Sequence, residues 1–272
     1  MYYKGELLML DIYQTMWSNR RMIYTLSLQE MKREYAGTLL GVLWALINPL
    51  IRIAVYWFVF SIGARAGSPV NGVPYLAWLS GGLTSWFFIN EGFKLGKNSF
   101  RSKRHIIKNT PFPVAILPAV QVLYAYFTHL IFLSVMFIIM AFSLQSVSIY
   151  WLQILYYDFA AFILLVAIGS VMAPLVAVSK DFGRFLDTIL IFLFWMTPIF
   201  WRVENVGPNL ERIIKLNPFH YIVNGYRESF FFEVGFWEHP YYTLYFWLLV
   251  LVLLFIGNYL FKRMKPIFLD IL

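Results

Sequence analysis

Apolar runs about as long as a bilayer is thick recur along this chain, each bounded by charges or by Gly and Pro. A helix needs roughly 20 mostly apolar residues to cross the hydrocarbon core, where its backbone must satisfy its own polar groups. Six runs meet that demand, over about 38–63, 74–93, 114–142, 150–179, 185–201 and 241–261. Only 13% of the residues are charged, against about a quarter in a soluble domain. The expected fold is an all-α polytopic membrane protein with six transmembrane helices. Residues 1–34 form a cytoplasmic N-terminal region and 35–272 a transmembrane domain. The first 34 residues include Glu6, Asp11, Glu30 and Glu34 and lack an early apolar core ending in a cleavage site, so they are not read as a signal peptide.

Two regions depart from simple spans. Around 6–18, Leu8, Met9, Ile12, Tyr13, Met16 and Trp17 fall on one helical face, and Asp11, Gln14, Thr15 and Ser18 on the other. That pattern predicts an amphipathic helix lying in the membrane surface, with Leu8, Ile12, Tyr13, Met16 and Trp17 facing lipid. The fifth span is short, and the stretch from 202 to 240 is too polar to cross yet holds Ile213, Ile214, Phe219, Tyr221, Phe230, Phe231 and Phe232. It is expected to form short re-entrant helices at the outer face, shielded by protein where the backbone is irregular. Placing both termini in the cytoplasm puts 16 of the 22 Lys and Arg residues on the inner side, as the positive-inside rule favours. The net charge of +8 is then a topological signal and calls for no nucleic-acid partner.

The chemistry is sparse. No Gly-rich Walker sequence ending in Gly-Lys-Ser/Thr is present to cradle a nucleotide, and with no cysteine there are no disulfides or thiolate metal sites. No catalytic residue and no metal ligand set is expected. Among ionisable residues inside spans, Arg52 suits an anionic phosphate, because its guanidinium keeps its charge. Glu91 is expected to pair with Lys94 or sit at a solvated end, His129 to pack as a hydrogen-bonded residue, and Asp158 to be satisfied locally beside Tyr156 and Tyr157. Aromatic residues crowd the outer halves of three spans. With Arg52 they give a candidate substrate path of Tyr56, Trp57, Trp86, Phe192 and Trp195, since flat apolar ring faces can stack on sugar C–H surfaces. Interfacial aromatic belts are the plainer reading. From Lys94 to Pro113 lie six basic residues and no acidic one. This segment is either a topology signal and anchor for anionic lipid, or a short helix docking on a cytoplasmic protein through Phe100, Arg101, Lys103, Arg104, Ile106 and Ile107.

Four blocks then carry a resemblance. They are Lys32-Arg33-Glu34-Tyr35-Ala36-Gly37-Thr38-Leu39-Leu40-Gly41 with Trp44 and Asn48-Pro49; Val73-Pro74-Tyr75 with Gly81-Gly82 and Trp86-Phe87-Phe88-Ile89-Asn90; Lys180-Asp181; and Thr197-Pro198-Ile199 with Leu216-Asn217-Pro218. In order and spacing, together with the closing Phe268-Leu269-Asp270, they resemble the type-2 ATP-binding-cassette export permeases for polysaccharides and teichoic acids. The stretch from Val55 to Asn90 is most similar to wall teichoic acid permease subunits of Gram-positive bacteria. Glu34 departs from an otherwise basic and polar family block. The resemblance implies a plasma-membrane exporter subunit of a bacterium, without its own ATPase. It implies a second copy of the chain, two copies of a separate ATPase that would hold ATP and Mg2+, membrane lipids, and a lipid-linked anionic glycopolymer as cargo. It further implies that the N-terminal helix lies at the cytoplasmic interface, that the loop between spans two and three supplies a coupling helix, and that the segment after span five forms outer gate helices. A membrane-embedded transferase would call for paired carboxylates or a His-carboxylate set at a cleft, and a gradient-driven transporter typically shows inverted repeats. Neither signature is read in the sequence.

Overall fold

The structure, a computed structural model, describes residues 11–63, 72–109, 112–144, 147–201 and 203–271. Every regular element among them is helical. In chain order these are α1 (Asp11–Ser18), α2 (Arg20–Tyr35), α3 (Trp44–Trp57), α4 (Tyr75–Ser102), α5 (Arg104–Asn109), α6 (Leu117–Leu144), α7 (Ile154–Val178), α8 (Lys180–Met196), α9 (Pro208–Lys215), α10 (Pro218–Arg227) and α11 (Pro240–Ile271), with short 3-10 or π turns at several ends. Proline sets many boundaries. Pro74 precedes α4, Pro113 precedes the 3-10 turn into α6, and Pro208 and Pro218 open α9 and α10, positions where a missing N–H costs nothing.

Four segments are long and apolar enough to cross a membrane: Gly41–Ile62, Val114–Phe142, Ile149–Val178 and Pro240–Phe268. The two others read from the sequence, α4 and α8, fall short on composition or length. α4 carries Glu91, Lys94, Lys97 and Arg101 along its second half. α8 is 17 residues long and spends Lys180, Asp181, Arg184 and Asp187 in its first half. Its start is earlier than the expected 185 because the Ser179 side chain accepts from the Phe182 backbone N–H (3.3 Å) and caps it. It ends at Met196 rather than 201, since Pro198 cannot continue a helix.

α7 is the central element. Its most apolar window is 72% buried inside the chain, against 11% for the window of α3. α4, α6 and α11 pack around α7, while α3 leans on α4 and α6 at the edge. In lipid, apolar burial alone gives helices little reason to associate, so small residues and interhelical polar bonds must do so. Gly96 on α4 and Gly169 on α7 illustrate the first. A Cβ at Gly169 would stand 3.3 Å from the Gly96 Cα and 3.3 Å from Pro118 Cβ, so the two backbones touch. The second appears where the Ser27 hydroxyl of α2 donates to the Val120 carbonyl of α6 at 2.9 Å.

Where α4 and α7 end, α6 begins and α11 runs on, Ile12, Phe100, Ile107, Leu117, Ala177, Phe261 and Phe268 form one apolar cluster. This corrects two expectations. The apolar face of α1 turns to protein rather than lipid: Ile12 and Met16 are buried, the Ile12 N–H donates to Asn258 Oδ1 (3.3 Å), and the Tyr13 hydroxyl donates to the Leu254 carbonyl (2.9 Å). The length of α11 supplies that wall, and Asp11 pairs with Lys262 at 2.5 Å. Trp17 is 73% exposed with Arg20 over its ring at 5.5 Å, and Leu8 lies outside the described residues. The basic stretch after Lys94 is also not a separate loop helix: α4 runs unbroken through it to Ser102, and only α5 stands apart.

Beyond α8 the chain continues into two short helices, α9 and α10. α9 is amphipathic, and Lys215 donates to Glu211 at 2.6 Å, holding that carboxyl below the usual carboxylate range. α10 is buried on nearly every side. Its Gly225 lies on the ring of Tyr157, so that a Cβ there would sit 2.1 Å from a ring carbon.

Candidate functional site

Two cavities flank Arg52. The larger, about 520 Å³, lies between α3, α4 and α8 and is lined by Arg52, Tyr56, Trp86, Phe87, Asn90, Lys94, Asp187, Leu190, Ile191 and Phe194. Each helix contributes one face: Arg52 and Tyr56 are four apart on α3, Trp86, Asn90 and Lys94 are four apart on α4, and Asp187, Leu190, Ile191 and Phe194 follow the same period on α8. The smaller cavity, about 250 Å³, lies on the α6 side of α3. Arg52 and Phe87 line both, with the guanidinium 5.9 Å from the Phe87 ring centroid.

Of the residues read from the sequence as a path, the structure brings Arg52, Tyr56 and Trp86 together in the larger cavity. Trp57, Phe192 and Trp195 do not line it. They are 37%, 62% and 53% exposed on the outward sides of α3 and α8. Trp195 reaches the site only through its neighbours, with ring centroids 5.2 Å from Phe194 and 5.6 Å from Phe200. Phe200 in turn stacks on Phe60 at 4.5 Å and meets Tyr56 at 5.1 Å, so an aromatic cluster borders the cavity at Tyr56 and Phe194.

The charges around it are not equivalent. Asp187 accepts from Lys97 at 2.9 Å, and Lys97, 1% exposed, also donates to the Gly183 carbonyl at 2.8 Å. The ammonium thus holds α8 to α4 and neutralises the cavity's one carboxylate. Arg52 and Lys94 have no hydrogen-bond or ion-pair partner among the described residues. Ionisable groups on the apolar helices of a membrane domain usually face a cavity or a pathway, which makes this space the candidate site.

Three buried groups have partners that sequence reasoning did not name. Asp158, 0% exposed, is not satisfied by its neighbours. The Tyr226 hydroxyl of α10 donates to its Oδ1, and His129 Nε2 of α6 lies 3.2 Å from the same oxygen and 3.0 Å from the Tyr226 hydroxyl. Arg227, 5% exposed, donates to the carbonyls of Pro198 (2.6 Å) and Ile199 (2.8 Å) and lies 3.7 Å from the ring centroid of Trp78. Lys97 is the third. The four-residue period of Trp86, Asn90 and Lys94 was the available signal for the cavity. Nothing local announces partners 68 or 90 residues away. Glu91, expected to pair with Lys94 or to sit at a solvated end, is exposed, makes no ion pair within 4 Å among the described residues, and lines the smaller cavity within the field of Lys94 and Arg52.

At the α4–α5 corner, Phe100 and Ile107 point into the apolar cluster and Lys103 is paired to Glu30. Arg104 and His105 are exposed, and Arg101 and Ile106 half-buried. The six residues read as a docking set therefore divide into an inward anchor and an outward surface.

Residues 21–231 match the profile of the ABC-2 type transporter family, an interval that contains both cavities. An O-antigen export system permease protein of Klebsiella pneumoniae is 26% identical, the alignment covering 92% of this chain and 95% of that protein. One of Myxococcus xanthus is 22% identical, over 82% and 85% respectively.

Proposed function

This chain belongs to the ABC-2 type transporter family, and on that premise we propose that it is the membrane permease of an exporter for a lipid-linked, anionic glycopolymer, a teichoic acid or related polysaccharide. The carrying observation is the larger cavity, where two cations that make no hydrogen bond or ion pair among the described residues face four aromatic rings. Such a set suits a polymer that alternates phosphate and sugar: Arg52 and Lys94 meet the phosphate, and Tyr56, Trp86 and Phe194 stack on the sugar. In this reading α4 and α8 cross the membrane as the second and fifth of six spans, together with the four apolar ones, their charges turned to the cavity and to each other. The loosely held α3 and the exposed face of α8 meet a second copy, closing the path between them. Two copies of a separate ATPase, with ATP and Mg2+, supply the energy at the cytoplasmic face. They dock on Arg101, Arg104 and Ile106 of the α4–α5 corner, which Phe100 and Ile107 anchor to the helix ends.

The test is export by the assembled complex. Arg52→Ala and Trp86→Ala should each reduce polymer export at least about tenfold, the loss expected for one good charge-assisted or stacking contact of about 1.4 kcal/mol or more, while co-purification with the ATPase stays intact. Normal export by both variants would remove the cavity from the path. Orientation has its own check. A cysteine at Gly67 should react with an impermeant thiol reagent on intact cells, and one at Ser102 only after permeabilisation. The reverse pattern would invert the topology.

A further inference from the structure

Two buried cations grip α8 and the residues just after it, and they do so differently. Arg227 donates to the carbonyls of Pro198 and Ile199, backbone acceptors that carry no net charge and do not compete with an anion. Lys97 of α4, 1% exposed, donates to the Gly183 carbonyl at 2.8 Å and to Asp187 Oδ2 at 2.9 Å, two acceptors four residues apart on one face of α8. A buried ammonium needs an anionic partner, because a lone charge out of water is strongly destabilising. Asp187 has no such need. Its side chain is 50% exposed and lines the larger cavity with Arg52 and Lys94, so the carboxylate can leave Lys97 and be rehydrated. Asp187 thus joins the buried ammonium to the wall of the cavity where the cargo is read to pass.

We propose that Asp187 is a resident stand-in for the cargo's phosphate: it holds Lys97 until a phosphate enters on Arg52 and Lys94, and then yields Lys97 to it, freeing the first half of α8 from α4. The proposal rests on the export reading and deepens it, naming the contact through which the cargo loosens the cavity wall. Carboxylate and phosphate offer an ammonium the same charge-assisted hydrogen bond, so the exchange leaves Lys97 paired throughout. What drives it is repulsion. A phosphate on Arg52 and Lys94 brings a second negative charge against Asp187, and like charges shielded from bulk water repel several times more strongly than in it. Arg227 keeps its carbonyls during the exchange, so α8 swings about that end.

The probe is bare polyprenyl diphosphate, radiolabelled and bound at equilibrium to the permease–ATPase complex in nanodiscs. The chain has no native cysteine, so cysteines replacing Phe159 on α7 and Phe185 on α8, both exposed, carry spin labels in one copy of each complex. Saturating probe should broaden and shift the distance between them. Asp187→Asn should bind the probe at least about threefold more tightly, since no carboxylate competes for Lys97, and should show the shifted distances before probe is added. Asp187→Glu should restore the parent's affinity, and Lys97→Gln should weaken binding. The uncharged pair Lys97→Gln with Asp187→Asn buries no lone ammonium and serves if Asp187→Asn alone does not assemble; it should show the shifted distances with and without probe. Distances in the parent that saturating probe leaves unchanged, or an Asp187→Asn complex that binds no more tightly than the parent, overturn the exchange. If Arg52→Ala still weakens the probe in that case, the export reading stands. A probe that binds parent and Arg52→Ala alike, or neither, removes the cavity from the path and the exchange with it.

Discussion

Replacing Arg227 by Met lowers the thermal unfolding midpoint of the detergent-solubilised chain by roughly 10 °C or more. The guanidinium donates to the carbonyls of Pro198 and Ile199, which the end of α8 leaves without helical partners, and lies against the ring of Trp78. Hydrogen bonds to a charged group contribute about 1.5–3 kcal/mol each, and a desolvated cation–π contact about 2 kcal/mol. Each kcal/mol corresponds to about 2–4 °C in a chain of this size. Met fills much of the volume but donates nothing, so two carbonyls are left buried and unpaired. Arg227→Lys keeps the charge without the planar fork and should recover only part of the loss. A midpoint within about 2 °C of the unsubstituted protein for Arg227→Met would show that the contacts contribute little.

Gly225→Ala should be comparably damaging for a steric reason. The added methyl would stand 2.1 Å from a ring carbon of Tyr157, and Tyr157 is 1% exposed, held between α7 and α10. Overpacking typically costs about 1–3 kcal/mol and more where nothing can yield. Here the yielding element is α10 itself, whose displacement would also pull Tyr226 from Asp158 and Arg227 from the α8 carbonyls. Stability measurements on Gly225→Ala and on Gly225→Ala with Tyr157→Leu separate the causes. The double variant should regain stability relative to the single one. An alanine variant as stable as the parent would mean that the two helices are farther apart than described.

The long helices were legible because their cause is local. Apolar runs and prolines lie in sequence order, so Pro74, Pro113 and Pro198 mark boundaries to within a few residues of those observed. The short helices after α8 were legible for the same reason, in a stretch too charged to cross and rich in aromatic residues. What hydropathy could not separate is a charge that faces a cavity from one that meets a distant partner. Lys94 and Lys97 look alike in sequence, yet the first lines the cavity while the second is buried against Asp187. Asp158 was assigned to its neighbours because Tyr156 and Tyr157 are adjacent, whereas its partners come from α6 and α10. Amphipathicity was ambiguous in a further way: Ile12 and Met16 of α1 are buried against protein while Trp17 of the same face is exposed, and protein and lipid demand the same residues.

The contact of Gly96 with Gly169 has a use in measurement. With no side chain between the two backbones, nothing there can repack by degrees, so α4 and α7 form a fixed frame at that crossing. Spectroscopic distances taken from labels on this frame would register displacement of α3 or α8 directly, without correction for movement of the reference.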